Sequence, residues 1–202
     1  MNEEQEYTIQ KYFKNKKSLI NKILKLFRNL IPNTDFSNDK LGGPGSIIQI
    51  DETMMNFKCK SHRGRSTLNK TDALVIIEYQ NKIKRAFAKI IPNKESRTII
   101  PIVVSQVASS SIIWTDEHKS YKCLKNLGFE HDSVCHKYEF GNKLNGINTQ
   151  AVESFNNCIK IKIKRQKGVK PCDKEEFLKC FLFFFNNKKN LLKRRLKVIR
   201  IG

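Results

Sequence analysis

Residues 46–51 read Ser-Ile-Ile-Gln-Ile-Asp, and residues 111–116 read Ser-Ile-Ile-Trp-Thr-Asp. Each stretch is a serine, a short run rich in β-branched isoleucine, and a closing aspartate. Such runs suit pleated, buried strands and are too short for a buried helix. Two of them predict two strands that deliver Asp51 and Asp116 to the carboxyl rim of a sheet, where α/β sites form. Glu52 and Glu117 come next, but side chains alternate across a strand. If Asp51 faces a site, Glu52 faces away, so the four acids do not form one cluster.

Working outward, Ala73–Tyr79 (ALVIIEY) and Lys82–Ile91 are further strand candidates, with Asn81 in the turn between them. Glu95–Val107 reads as a helix despite Pro101 inside it. Tyr121–Leu127 reads as a short helix closed by Gly128. A loop is expected through His131–Asn148, then a helix over Thr149–Asn157. The alternation CIKIKIK at 158–164 fits a helix or an edge strand. A last helix is expected over 173–195, around the Phe-rich run Phe181–Phe185. The order is three antiparallel strands, a helix, a parallel strand, then helices. It predicts an α/β, RNase H-like mixed sheet flanked by helices.

Ahead of the first strand, residues 16–31 place Leu19, Ile20, Ile23, Leu24, Phe27, Leu30 and Ile31 on one helical face, and Pro32 stops that helix. The polar stretch that follows ends in Gly42, Gly43, Pro44 and Gly45 and reads as a linker. The expected organisation is a short helical region with its linker over 1–45, and a catalytic domain with basic C-terminal helices over 46–202.

The chain has 202 residues with 39 Lys+Arg against 19 Asp+Glu, a net charge of +20. At 39% hydrophobic and 29% charged residues it has the composition of a globular protein with a real core. An AT-rich genome writes lysine everywhere, so the total alone names no function. Its distribution is sharper: residues 137–202 carry 17 basic and 5 acidic side chains. A polyanionic partner is expected there. Residues 98–115 lack charge, but Pro101, Gln106 and a serine cluster make a poor membrane span. The N-terminus MNEEQEY has no signal-peptide character. The expected location is the nucleus in a eukaryote, or the cytoplasm and nucleoid in a bacterium.

Six cysteines, at 59, 123, 135, 158, 172 and 180, form no C-x-x-C pair. Cys123, His131, Cys135 and His136 could be drawn as a zinc site, but the spacing matches no common pattern. Scattered reduced thiols are the alternative.

The third acid of interest is Glu153, early in T-Q-A-V-E-S-F. There Val152, Phe155 and Ile159 would face the core, while Glu153, Asn157 and Lys160 share an adjacent stripe. Any one of Asp51, Asp116 and Glu153 could be a surface charge, a helix cap or a salt-bridge partner. As a converging set they would need cations, and carboxylate oxygens suit Mg²⁺ or Mn²⁺.

GGPGSIIQIDET, H-R-G-R at 62–65, W-T-D-E-H-K-S-Y at 114–121 and N-T-Q-A-V-E-S-F at 148–155 stand in order along the chain. In these motifs the sequence resembles DDE transposases of the Merlin superfamily and their bacterial insertion-sequence relatives, over about residues 42–167. The 36 residues between Asp116 and Glu153 suit the short Asp-to-Glu spacing of such enzymes. The resemblance implies that Asp51, Asp116 and Glu153 are catalytic acids binding two Mg²⁺ (or Mn²⁺) ions, with His136 and Asn148 in support. Asn148 could equally be a helix N-cap, and His136 a structural histidine. It implies cleavage of double-stranded DNA at terminal inverted repeats, strand transfer into target DNA, and a homo-oligomer. Asn156 departs from the family, which usually has Trp there. Only about 45 residues precede the first strand, where relatives carry a longer DNA-binding region. A truncated copy is therefore expected as one alternative: a transposase-derived DNA-binding protein without catalysis. A metal-dependent nuclease without strand transfer is another. Arg63, Arg65, Lys160, Lys162, Lys164 and Arg165 are the expected phosphate contacts.

Overall fold

A computed structural model describes residues 17–56, 70–134 and 147–188. The chain divides into two compact units, residues 1–33 with 187–202, and Thr34–Asn186. In the first, helix α1 spans Lys17–Leu30. Only part of its apolar face is covered. Ile20 and Leu24 are buried, whereas Leu19, Ile23, Leu26 and Leu30 form an exposed stripe at helical spacing.

The second unit is built on five strands: β1 (Ile47–Met54), β2 (Asp72–Gln80), β3 (Lys82–Ile91), β4 (Ile112–Asp116) and β5 (Glu130–Val134). The sheet order is β3-β2-β1-β4-β5. β1, β2 and β3 pair antiparallel, while β4 and β5 run parallel to β1. This is the RNase H-like mixed sheet that the element order predicts. Asn81 makes the tight turn between β2 and β3 with φ 57°. The strand β5 overturns part of the expected loop at 131–148. Its sequence EHDSV lacks the apolar run that marks a strand, and pairing with β4 alone holds it at one side of the sheet.

Helix α2 (Ser96–Gln106) covers one face of the sheet, and helices α3 (Gln150–Arg165) and α4 (Lys174–Asn186) pack on the other. β2 is buried on both faces, which is why Ala73–Ile77 is an unbroken apolar run. Tyr121–Leu127 is not one helix: two 3₁₀ turns, Lys119–Tyr121 and Lys125–Leu127, replace it, the second closed by Gly128 at φ 82°. The CIKIKIK stretch is helical. A strand would place Ile159, Ile161 and Ile163 on one face. In α3, Ile159 and Ile163 are buried one turn apart, and Ile161 is exposed. The Phe-rich run packs inward, with the Phe155 ring edge-on to Phe185 and Phe181 at centroid distances of 4.7 and 5.6 Å. The expected helix over 173–195 is α4, which ends at Asn186; residues 189–195 lie outside the described residues.

Residues 34–45, the stretch that reads as a linker, are packed. Leu41 is fully buried and bridges Val107 in parallel. Arg85 donates to the Asp39 and Lys40 carbonyls, pairs with the carboxylates of Asp39 and Glu78, and lies over the Phe36 ring. Gly42 has φ 87°, and a Cβ there would fall 2.4 Å from Ser111 Oγ, so only glycine lets the chain approach β4 so closely.

β3 stands at one end of the sheet order, where unpaired backbone groups invite a foreign strand. Asn186 at the end of α4 blocks this at Ala86: its Oδ1 accepts from the Ala86 N–H at 2.9 Å, and its Nδ2 donates to the Ala86 carbonyl at 2.8 Å. Asn186→Leu removes both bonds and leaves two half-buried backbone groups unpaired. It should cost about 1–3 kcal/mol of unfolding free energy by urea titration, and should increase self-association at high concentration.

Candidate active site

The parallel register of β1 with β4 runs from Ile47↔Ile112 to Ile50↔Thr115. One step further along each strand stand Asp51 and Asp116, neighbours on the same face. Asp116 is the last residue of β4, as expected. Asp51 is not the end of β1, which continues to Met54 in pairing with β2. Asp51 marks instead the place where β4 stops.

Burial raises Asp51 first, then the negative charges of Asp116, Glu52 and Glu153, and its carboxyl is pushed up to about 6 from an ordinary 3.8. One hydrogen bond, from the Glu52 N–H to Asp51 Oδ1 at 2.8 Å, works the other way. A second donor is Asn156, buried on α3, whose Nδ2 reaches Asp51 Oδ2 at 2.7 Å.

Glu52 points to the opposite face, as strand alternation requires. Its carboxylate is buried, accepts from the Tyr121 hydroxyl, and lies 3.5 Å from Lys94 Nζ. Burial and the Glu52 charge hold Tyr121 far above its ordinary range, so its hydroxyl stays protonated as a donor. Thr115 Oγ1 lies 2.9 Å from His131 Nε2, and burial keeps that imidazole below its ordinary value.

The third acid arrives on α3, and two side chains of β1 fix that helix. Gln49 is fully buried, and its Oε1 accepts from the Val152 N–H at 3.0 Å. This caps a first-turn amide that has no intrahelical acceptor. Asp51, two residues on, takes the Asn156 bond. Val152, Phe155 and Ile159 face the core as the periodicity predicts, and Glu153 is exposed on the outer stripe. Thr149, the residue at the helix N-cap, donates its Oγ1 to Glu153 Oε1 at 3.0 Å. Asn148 is thus not the cap itself; its Oδ1 sits 3.5 Å from Gln49 Nε2.

Among the described residues, no three His, Cys, Asp or Glu side chains stand close enough to hold a metal ion together. The chemistry of the donors still suits one. Asp51 and Asp116 are oxygen donors whose mutual repulsion a divalent cation would relieve, and Glu153 is near enough for its charge to act on Asp51. Lys160, Lys164 and Arg165 are exposed along α3, with Lys162 half-buried. Arg63, Arg65, His136 and Cys135 lie outside the described residues. Cys123 and His131, the other half of the drawn zinc set, engage Ser96 and Thr115 respectively.

A family model for the ISXO2-like transposase domain matches residues 40–186, which takes in all five strands and the helices packed on them. The chain belongs to this family. The ISXO2-like domain is also 28% identical over 116 residues to an uncharacterized transposase-like protein of Haemophilus influenzae, covering 57% of this chain and 91% of that one. Among solved structures it is similar to the catalytic core domain of BIV integrase, at 15% identity and a TM-score of 0.46, over 77% of this chain and 96% of that one. A chain of the simian T-cell lymphotropic virus intasome, solved with the PP2A regulatory subunit B56 gamma, matches at 13% identity and a TM-score of 0.38, covering 96% of this chain and 66% of that one. No described helix of the ISXO2-like domain is long and apolar enough to cross a membrane.

Two of the residues in these contacts, Gln49 and Asn156, are not among the expected site residues. Gln49 was legible only as the one polar side chain inside the apolar run Ile47–Ile50, and Asn156 only as a departure from the family's Trp.

Because Asp51 titrates higher in the fold than in the unfolded chain, the unfolded state is the first to lose this proton. Stability of the metal-free protein should therefore fall as pH rises from about 4 to about 6. Asp51→Asn removes the repelled charge and should raise the metal-free unfolding free energy at pH 7 by roughly 1–3 kcal/mol. Equal or lower stability of that variant in urea denaturation at pH 7 would count against the assigned electrostatics.

Proposed function

We propose that this ISXO2-like domain cuts DNA at the ends of a transposable element and joins the freed 3′-hydroxyl to target DNA, with Asp51, Asp116 and Glu153 as its metal-binding acids. The observation that carries this reading is the parallel register that makes Asp51 and Asp116 neighbours, together with a helix fixed to the same strand that bears Glu153. Mg²⁺ or Mn²⁺ ions, two in the full site, supply activation of the attacking oxygen and neutralisation of the departing one. The chain's own part is to hold and orient. Asp51 is steered by Asn156 and the Glu52 amide, and Asp116 by its place at the end of β4. Glu153 is held by the Thr149 hydroxyl at the start of the helix that Gln49 and Asp51 fix to the same strand.

The same helix offers a route for the DNA backbone. Glu153, Asn157, Lys160 and Lys164 recur at helical spacing and are all exposed. At a rise of about 1.5 Å per residue, Lys160 stands ~10 Å and Lys164 ~16 Å beyond Glu153 along the axis. Those are distances at which phosphates flanking a cut site would lie, and such contacts give affinity rather than sequence reading. Lys162, Arg165, Arg63 and Arg65 add to the positive field. His136 and Asn148 are supporting residues in this reading. The protein would work wherever its DNA is, in the nucleoid or the nucleus, as an oligomer on paired ends.

The test is incubation of the protein with Mg²⁺ or Mn²⁺ and DNA carrying the element's terminal repeats. Joined products are expected. Cuts without joining would point to a nuclease, and retardation without cuts to a binding protein. Asp51→Asn, Asp116→Asn and Glu153→Gln should each reduce metal-dependent cutting at least a thousandfold, since each removes a metal ligand. Activity in the triple variant would sink the assignment. Lys160→Ala with Lys164→Ala should weaken DNA binding at all sequences and lower the slope of log K against log salt by about 2.

A further inference from the structure

Asn156 stands three residues after Glu153 and, unlike it, points inward. It is 3% exposed. Its Nδ2 donates to Asp51 Oδ2 at 2.7 Å, while its Oδ1 is buried with no hydrogen-bond partner. A buried amide oxygen left unpaired costs free energy, so the side chain is not there to stabilise the core on its own account. An apolar residue would fill the position without that penalty, and the resemblance implies a large apolar residue, Trp, there. The feature the amide contributes and a hydrocarbon cannot is the N–H to Asp51.

The two oxygens of Asp51 are thereby committed in different directions. Oδ1 takes the N–H of the next residue, Glu52, and Oδ2 takes Asn156. A carboxylate has about four lone-pair sites, so two remain for other partners, and the plane of the group is fixed from both sides. Without Asn156 the group is held at Oδ1 alone and is free to turn about its side-chain torsions. The bond also crosses from β1 to α3, the helix that carries Glu153, and it lies about one turn beyond the Gln49 contact to Val152 along the docked face. It therefore sets the direction of the first acid and its relation to the third with one side chain.

We propose that Asn156 is a positioning residue for Asp51: it orients this carboxylate for a divalent cation, in place of the bulky apolar residue usual in relatives. This rests on the reading of Asp51 as a metal ligand. Partners of this kind, one step removed from the metal, alter affinity by about 10–100-fold when removed.

The test is direct Mn²⁺ binding to the full chain without DNA, by calorimetry or by the loss of the free-ion paramagnetic signal, with thermal melts of every variant. Asn156→Leu keeps the number and branching of the side-chain heavy atoms and removes the donor. Asn156→Ser keeps polarity but is too short to reach. Both should bind Mn²⁺ at least tenfold more weakly than wild type while still melting cooperatively. Cys158→Ser, exposed on the same helix, should stay within twofold of wild type. In cleavage, the Mn²⁺ concentration for half-maximal rate should rise in the Asn156 variants, with the rate at saturating metal little changed. Wild-type Mn²⁺ affinity in both Asn156 variants, with Asp51→Asn clearly weakened, would overturn the positioning role and leave the active-site reading standing. Wild-type affinity in Asp51→Asn as well would overturn both. Loss of the folded state in both Asn156 variants would make the residue structural and would also overturn the proposal.

Discussion

The parallel pairing of β1 with β4 is the constraint on which the rest of the molecule turns. It sets two strands in register so that the residues following Ile50 and Thr115 are both aspartates on one face. Like charges placed side by side in a half-buried position repel, and Asp51 carries that repulsion as a raised affinity for its proton. Lys94 pairs with Glu52 on the other face. What Asp51 receives is hydrogen bonds from neutral N–H groups. Those orient a carboxylate without cancelling its charge.

The opposite face shows the contrast. Glu52 is adjacent in sequence and as deeply buried, yet it is bound on both oxygens, by the Tyr121 hydroxyl and by the Lys94 ammonium. It is a structural acid, tying β1 to the turn after β4 and to the approach to α2. Two neighbouring carboxylates on one strand thus have different fates because strand alternation sends them to differently furnished sides. Stability is drawn from the Glu52 side, and from the Phe155–Phe181–Phe185 cluster beneath α3, to offset the strain at Asp51.

Much of this was legible in the sequence, for identifiable reasons. β1, β2 and β4 carry apolar, β-branched runs of strand length, and the periodicity of α3 separated Val152, Phe155 and Ile159 from Glu153. The parts that escaped share a physical cause. β5 buries only His131 and Val134 and is otherwise held by pairing with β4, so EHDSV carries no apolar run. Residues 34–45 look like a linker because they are polar and glycine-rich, but Leu41 and the Arg85 cluster bind them down, and two apolar residues, Phe36 and Leu41, in a polar stretch make no periodicity to detect. In the site, the acids stand out because acids are scarce here. Gln49 and Asn156 do not, since an amide's role depends on which atom lies opposite it across a hundred residues of chain.

The clasp of Asn186 on Ala86 has a consequence in time. The two residues are 100 apart in sequence. A ribosome that has finished β3 must add that whole length, including β4, β5 and α3, before the side chain that seals the strand exists. Throughout that interval the nascent sheet presents an open margin to any other chain that meets it, including another copy emerging from the same message. The lysines and arginine of β3, Lys82, Lys84, Arg85 and Lys89, repel such a copy until the last turn of α4 is made.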